Sequence, residues 1–201
     1  MRKVELHLHL DCSLSYAAVA QLDPAISRAQ YDAEFIAPPK CLSLLDYLAR
    51  TAGPLRLMQT ADALRIAVED LFQRLQADNV LYAEIRFAPL LHLLNGLTAE
   101  QVVTVVDRAT EACIRATGIE ARLILCTLRH YTQAQSLQTA CLVEKFRGTR
   151  VAALDLAGDE AGYPIDAHIP AFRYAINEGL YRTAHAGEAA GANSEIGRAH
   201  V

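Results

Sequence analysis

Leu6-His7-Leu8-His9-Leu10-Asp11 alternates leucine with side chains that can hold a metal ion or a proton. A β-strand turns successive side chains to opposite faces, so His7, His9 and Asp11 share one side and the leucines take the other. In a barrel both sides are buried. Leucines suit the outer face under helices, whereas two imidazoles and a carboxylate aimed inward are costly without a partner. A divalent metal is one such partner; a hydrogen-bonded pair of core histidines, or an edge strand with a wet polar face, are the alternatives. The run Arg182-Thr183-Ala184-His185-Ala186-Gly187-Glu188 adds a third imidazole of the kind an open catalytic zinc site accepts. Gly187 permits a tight turn close to a flat ligand, and Glu188 is placed to carry a proton; solvated turn residues would show the same spacing. In Leu154-Asp155-Leu156-Ala157-Gly158-Asp159-Glu160, Gly158 could offer its backbone N–H to a ring nitrogen while the acidic residues cap the next segment or bind a neighbour. A strand ending in an acidic turn fits those residues as well. Glu84 and Arg86, two apart, face the same way and are expected to pair with each other or with the site, a structural ion pair being the simpler reading.

These residues fall at the ends of β-like runs expected at Lys3–Leu10, Val80–Ala88, Ala121–Leu128, Val151–Leu156 and Leu180–Ala184. Helical patterns separate the runs. Residues 60–78 put Ala61, Leu64, Val68, Leu71, Phe72 and Leu75 on one face. Thr98 and Gln101 have capping-box spacing ahead of a stripe of Val102, Val105, Val106 and Ala109, and Gly118 suits a left-handed cap. A further helix is expected to end at Gly148, and a last one to run from Pro170 to Gly179. Alternating strands and helices predict an α/β fold with a parallel sheet. Polar residues gathered at the strand ends favour a barrel with its site on one face. The first strand is not followed by a glycine-rich phosphate loop, which removes the main support for a dinucleotide-binding sheet. The long stretch before the second strand, with Ala37-Pro38-Pro39-Lys40, is expected to be an insertion over the barrel mouth.

Composition narrows the function classes. A 52% hydrophobic, 21% charged chain of 201 residues is an ordinary globular sequence rather than a disordered one. Its net charge of -4 offers no basic field to a phosphate backbone, so no nucleic-acid partner is expected and a small neutral substrate fits better. There is neither a signal-peptide pattern at the start nor an apolar run that would span a membrane. Five scattered cysteines without C-x-x-C spacing argue against a disulfide framework and a thiolate metal site. The expected location is the cytoplasm, with no specific protein partner.

Together the residues resemble the adenosine deaminase family. Glu5–Asp11 is similar to the family's opening metal motif, Tyr82–Pro89 to its Y-x-E-x-R-x-x-P, Asp155–Glu160 to its D-L-A-G-D-E and His185–Glu188 to its H-A-G-E. The resemblance implies a TIM (β/α)8 barrel of the metallo-dependent hydrolase type, truncated after about the fifth strand, and hydrolysis of adenosine or deoxyadenosine to inosine or deoxyinosine and ammonia. It also implies that His7, His9 and His185 bind one Zn2+ and that Asp11 holds the 5'-hydroxyl of a purine nucleoside. Gly158 would bind a ring nitrogen, and Glu188 would protonate the ring. Cys12 stands where the family usually has glycine. The family's later histidine and paired aspartates have no counterpart before Val201, so the chain alone is expected to be inactive. A deaminase domain is thus expected over residues 1–194. Glu195–Val201 resembles the translation of a sequencing-library adapter and is expected to be a non-native tail. The H-x-H pair alone would equally suit another metal-dependent amidohydrolase, a phosphoesterase or a non-catalytic metal-binding fragment.

Overall fold

A computed structural model of the chain describes residues 1–189 and residue 191. Five strands, β1 (Lys3–His9), β2 (Val80–Phe87), β3 (Glu120–Leu128), β4 (Val151–Ala157) and β5 (Tyr181–Arg182), pair in the order β1-β2-β3-β4-β5. Every pairing is parallel. Right-handed crossovers between consecutive neighbours put all connecting helices on one face, which leaves the other as an interior. A doubly wound sheet would instead reverse its strand order. The strands begin and end within a residue or so of the expected positions except β5, which is assigned only two residues. Its ladder nevertheless continues, because Thr183 N donates to Leu154 O at 2.9 Å and His185 N to Leu156 O at 2.8 Å.

Four short helices, α1 (Tyr16–Leu22), α2 (Arg28–Glu34), α3 (Leu44–Leu48) and α4 (Ala52–Leu57), occupy the insertion between β1 and β2. Then α5 (Ala61–Ala77) begins where the Thr60 hydroxyl accepts from Ala63 N, and it buries Leu64, Val68, Leu71, Phe72 and Leu75. Ala61, expected on that face, is exposed at the first position of the helix. In α6 (Ala99–Thr117) both halves of the Thr98–Gln101 capping box form, and Gly118 closes the helix at φ +72°. Next comes α7 (Gln133–Lys145), which stops before Gly148 because Phe146 already forms the cap and Gly148 takes φ +89° in the turn beyond. The last helix, α8 (Ile169–Asn177), carries Pro170 in its first turn. Ile85, Leu123, Leu125 and Leu154 are wholly buried with the apolar faces of α5 and α6 in one core, and each such side chain contributes about 1.5–3 kcal/mol.

Strand β1 departs from simple alternation. Its register with β2 slips between Glu5 and Leu8, where three steps on β1 match two on β2. The polar groups freed by the bulge are satisfied locally: Arg86 Nη2 donates to Leu6 O at 2.9 Å and His7 N donates to Glu5 Oε1 at 3.1 Å. Of the three leucines expected beneath helices, Leu10 is buried and Leu8 partly so, but Leu6 is 54% exposed at the bulge. The tail expected at Glu195–Val201, and with it the expected boundary at residue 194, lies outside the described residues. Among the described residues no helix is long and apolar enough to cross a membrane.

One ion pair ties α6 to the start of β4. Asp107 Oδ1 accepts from Arg150 N at 3.1 Å and Nε at 2.7 Å, and Oδ2 accepts from Nη2 at 2.7 Å. Burial raises the Asp107 carboxyl, but the Arg150 hydrogen bonds outweigh it and hold the carboxyl below its ordinary value. Asp107→Asn should lower unfolding stability at neutral pH by about 1.5–3 kcal/mol, read by urea denaturation. Because the folded value lies below the unfolded one, the carboxylate's contribution is complete above about pH 4 and fades as pH falls through the folded value. The gap between wild type and variant should therefore narrow in acid.

Candidate metal centre

His7 and His9 come from β1 and His185 from the end of β5, strands that in a flat sheet would lie about 19 Å apart, four spacings of about 4.8 Å. Their Nε2 atoms nevertheless meet: His7 to His185 is 2.8 Å, His9 to His185 3.0 Å and His7 to His9 3.2 Å. The sheet must therefore curl until its first and fifth strands face each other across the interior. Around a tetrahedral ion with Zn–N bonds of about 2.0–2.1 Å, neighbouring nitrogens stand about 3.3–3.4 Å apart. The observed triangle is slightly tighter, and its all-imidazole donor set suits zinc with one position left open.

The second ring nitrogen of His185 shows which way its lone pair points. Nδ1 lies 3.0 Å from Asp155 Oδ2 and 3.1 Å from Leu156 O, two acceptors, so Nδ1 carries hydrogen and a neutral ring directs its bare Nε2 at the other two histidines. Asp155 is completely buried between Leu154 and Leu156. Burial raises its carboxyl, but the hydrogen bond from His185, with the charges of His185 and Arg86, brings it below the ordinary carboxylate value. Arg86 Nη1 and Cys126 Sγ each approach Asp155 Oδ2 at 3.3 Å. Arg86 thus pairs with Asp155 rather than with Glu84, which accepts instead from the Tyr82 hydroxyl at 3.2 Å. Burial, followed by the repulsion of His185, lowers His9 to about 4. His7 is lowered by burial, then by Arg86 and His185. Burial also lowers His185, yet its bond to Asp155 and the surrounding carboxylates reverse the direction and raise it.

Asp11 follows β1 in a single 3-10 turn. Its Oδ2 accepts from Ala88 N at 2.8 Å, and its Oδ1 lies 2.8 Å from Nε2 of the fully buried His92, whose Nδ1 is 2.8 Å from Met58 O. Each carboxylate oxygen retains a lone pair for a further donor. Burial, then the Asp11 charge, pushes the Cys12 thiol up to about 12, so it remains neutral beside the carboxylate. Gly158 follows β4 at φ +100°, and an added Cβ would stand 3.3 Å from Arg129 N, so conformation and space both select glycine. Glu188 is exposed on the bend after His185, with Gly187 at φ +80°. The acidic pair after Gly158 divides its work: Asp159 Oδ1 accepts locally from Ala161 N at 3.1 Å, whereas Glu160 reaches across to the Glu188 turn. Sequence reasoning singled out neither Asp155 nor Glu160 for a role of its own. Asp155 carried a usable signal, a carboxylate between two leucines of a strand buried on both faces.

Fold and site define a parallel α/β barrel segment whose strand ends carry a three-histidine centre. A family model for adenosine deaminase matches residues 2–196. The chain belongs to the adenosine deaminase family. It is 38% identical to an adenosine deaminase of Haemophilus ducreyi, with 95% of this chain and 59% of that protein aligned. With an adenosine deaminase of Clostridium kluyveri the identity is 35%, over 92% and 56% respectively. The chain thus spans little more than half the length of these curated relatives. Two solved structures share the fold. Arabidopsis ADAL complexed with IMP superposes with TM-score 0.82 at 21% identity, covering 98% of this chain and 61% of that one. A zinc-bound cog1816 amidohydrolase from Burkholderia ambifaria gives 0.81 at 24%, covering 93% and 52%. If the three histidines hold zinc, Asp155→Asn should weaken its binding about 10–100-fold, measured by competition with a chromophoric chelator, because the His185 ring loses its orienting carboxylate. Unchanged affinity would separate Asp155 from the centre.

Proposed function

We propose that the protein containing this chain is a zinc-dependent deaminase that converts adenosine or deoxyadenosine and water to inosine or deoxyinosine and ammonia. The observation that carries this reading is the meeting of His7, His9 and His185, with Glu188 on the turn immediately beyond. The three histidines would hold one zinc ion through Nε2, with Asp155 keeping the His185 lone pair turned inward. When bound, the ion lowers the pKa of a water to about 7, which makes a nucleophile available at neutral pH. Gly158 would donate its backbone N–H to a purine ring nitrogen, and Asp11 would accept from the ribose 5'-hydroxyl. Glu188, in its acid form, would give a proton to a ring nitrogen beside the reacting carbon, so that negative charge does not accumulate on the purine. Substrate is a small purine nucleoside, and the setting the cytoplasm.

The isolated 201 residues are proposed to be inactive. Val4, Leu6 and Tyr181 lie exposed on β1 and β5, apolar surface that three further βα units would cover in a barrel of about 250 residues. Ammonia release from adenosine, with zinc supplied, should appear in a full-length protein recovered from the parent DNA and be absent from the short chain. Turnover by the short chain would show that its own residues complete the site. Activity of neither on adenosine, with hydrolysis of another amide or a phosphoester, would place the protein among other metal-dependent hydrolases. In the full-length protein, Glu188→Gln should lower kcat by about 10²–10⁴-fold without changing zinc content; an unchanged kcat removes Glu188 as the proton carrier.

A further inference from the structure

We propose that Glu160 is a positioning residue that sets where the Glu188 carboxyl stands, by holding the backbone on both sides of it. This rests on the reading of Glu188 as proton carrier. Glu160 Oε1 accepts from Gly187 N at 2.8 Å and Oε2 from Ala189 N at 2.7 Å, so one carboxylate takes the two amides that flank residue 188. Glu160 is buried, although the turn it holds is exposed at Glu188 and Ala189. The guanidinium of buried Arg129 lies 3.6 Å from Glu160 Oε1, and its Nη2 also donates to His185 O at 3.0 Å. Arg129 is fixed in turn by its backbone: N donates to Ala157 O at 2.8 Å, and O lies 3.1 Å from His168 Nε2. A single ion pair therefore registers the turn bearing Glu188 against the backbone of the third histidine.

The chemistry of the clamp requires a carboxylate. Two converging N–H donors need two acceptor oxygens, and a glutamine would present its NH2 to one of them, donor against donor. The turn needs such a clamp because Gly187, at φ +80°, has wide conformational freedom. An error of about 1 Å in the placement of a reacting group can cost about a hundredfold in rate.

The test is a double-mutant cycle in the full-length, zinc-loaded protein, with kcat and KM for adenosine, zinc content and amide exchange measured for wild type, Glu160→Gln, Glu188→Gln and the pair. Glu160→Gln should lower kcat about a hundredfold with KM nearly unchanged, zinc stoichiometry retained and exchange accelerated at Gly187 and Ala189. In the Glu188→Gln background the same change should add no further loss, because groups that act as a unit are not additive. Losses that multiply, or a Glu160→Gln protein that loses its zinc, overturn the proposal while leaving Glu188 as proton carrier. A Glu188→Gln protein with wild-type kcat overturns that reading and the proposal with it. Should Glu160→Gln fail to fold, Glu160→Asp carries the same cycle, since it keeps both acceptors and the charge but retracts them by one methylene.

Discussion

Three imidazole nitrogens within 3.2 Å of one another, drawn from strands four places apart in the sheet, constrain nearly everything else in this molecule. Side chains cannot bridge the width of a flat five-stranded sheet, so the backbone has to curl. Consecutive parallel pairing makes that possible, because it keeps all helices on the outside and frees the other face to close upon itself. The bulge at Glu5–Leu8 belongs to the same solution. It breaks the ladder beside His7, and Arg86 then caps the Leu6 carbonyl while reaching Asp155 with its other nitrogen.

Much of this was legible in the chain because the relevant signals are local. The strand around His7 and His9, the Thr98–Gln101 capping box and the glycine at 118 depend on neighbours a few residues away; the cap and the glycine stand where local chemistry puts them, whereas the strict alternation of β1 is broken by the slip between Glu5 and Leu8. The pattern around His185 put it at the end of the fifth strand, but its spacing to Glu188 suited a solvated turn as well, and the family resemblance was what joined it to His7 and His9. What sequence reasoning missed lies at long range. Arg86 and Asp155 are 69 residues apart, His92 and Asp11 81, and Glu160 and Ala189 29. Nothing near Arg86 announces that its partner is on β4, and Glu84, two residues away on the same strand, is the natural local choice. The strand interior decides otherwise, since the groups that meet there are those at the same height on facing strands.

The acidic run after β4 shows the same division at smaller scale. Asp159 and Glu160 are adjacent and chemically alike, and either could cap the following turn. Asp159 does so. Glu160 is carried inward, where a carboxylate is tolerated only with near-complete hydrogen bonding, and two backbone amides with a nearby guanidinium provide it. The difference is set by the direction of the chain as it leaves Gly158, whose left-handed conformation no local pattern of charge encodes.

Charge balance explains how such a polar layer persists inside a barrel. Arg86 and Asp155 are a buried cation and anion in direct contact, so neither is left uncompensated. Burial and then Arg86 disfavour a proton on His7, and burial followed by His185 lowers His9 to about 4, so neither ring adds a favoured positive charge beside the pair. His185 differs because its Nδ1 hydrogen bonds to Asp155, which ties its ring to the anionic half of the layer. One carboxylate therefore settles two matters at once: it offsets the arginine that holds the bulge on β1, and it orients the imidazole on β5. A substitution at Asp155 removes its contacts to both Arg86 and His185, whereas one at Arg86 removes the bond to the Leu6 carbonyl and leaves the buried Asp155 carboxylate without its cation.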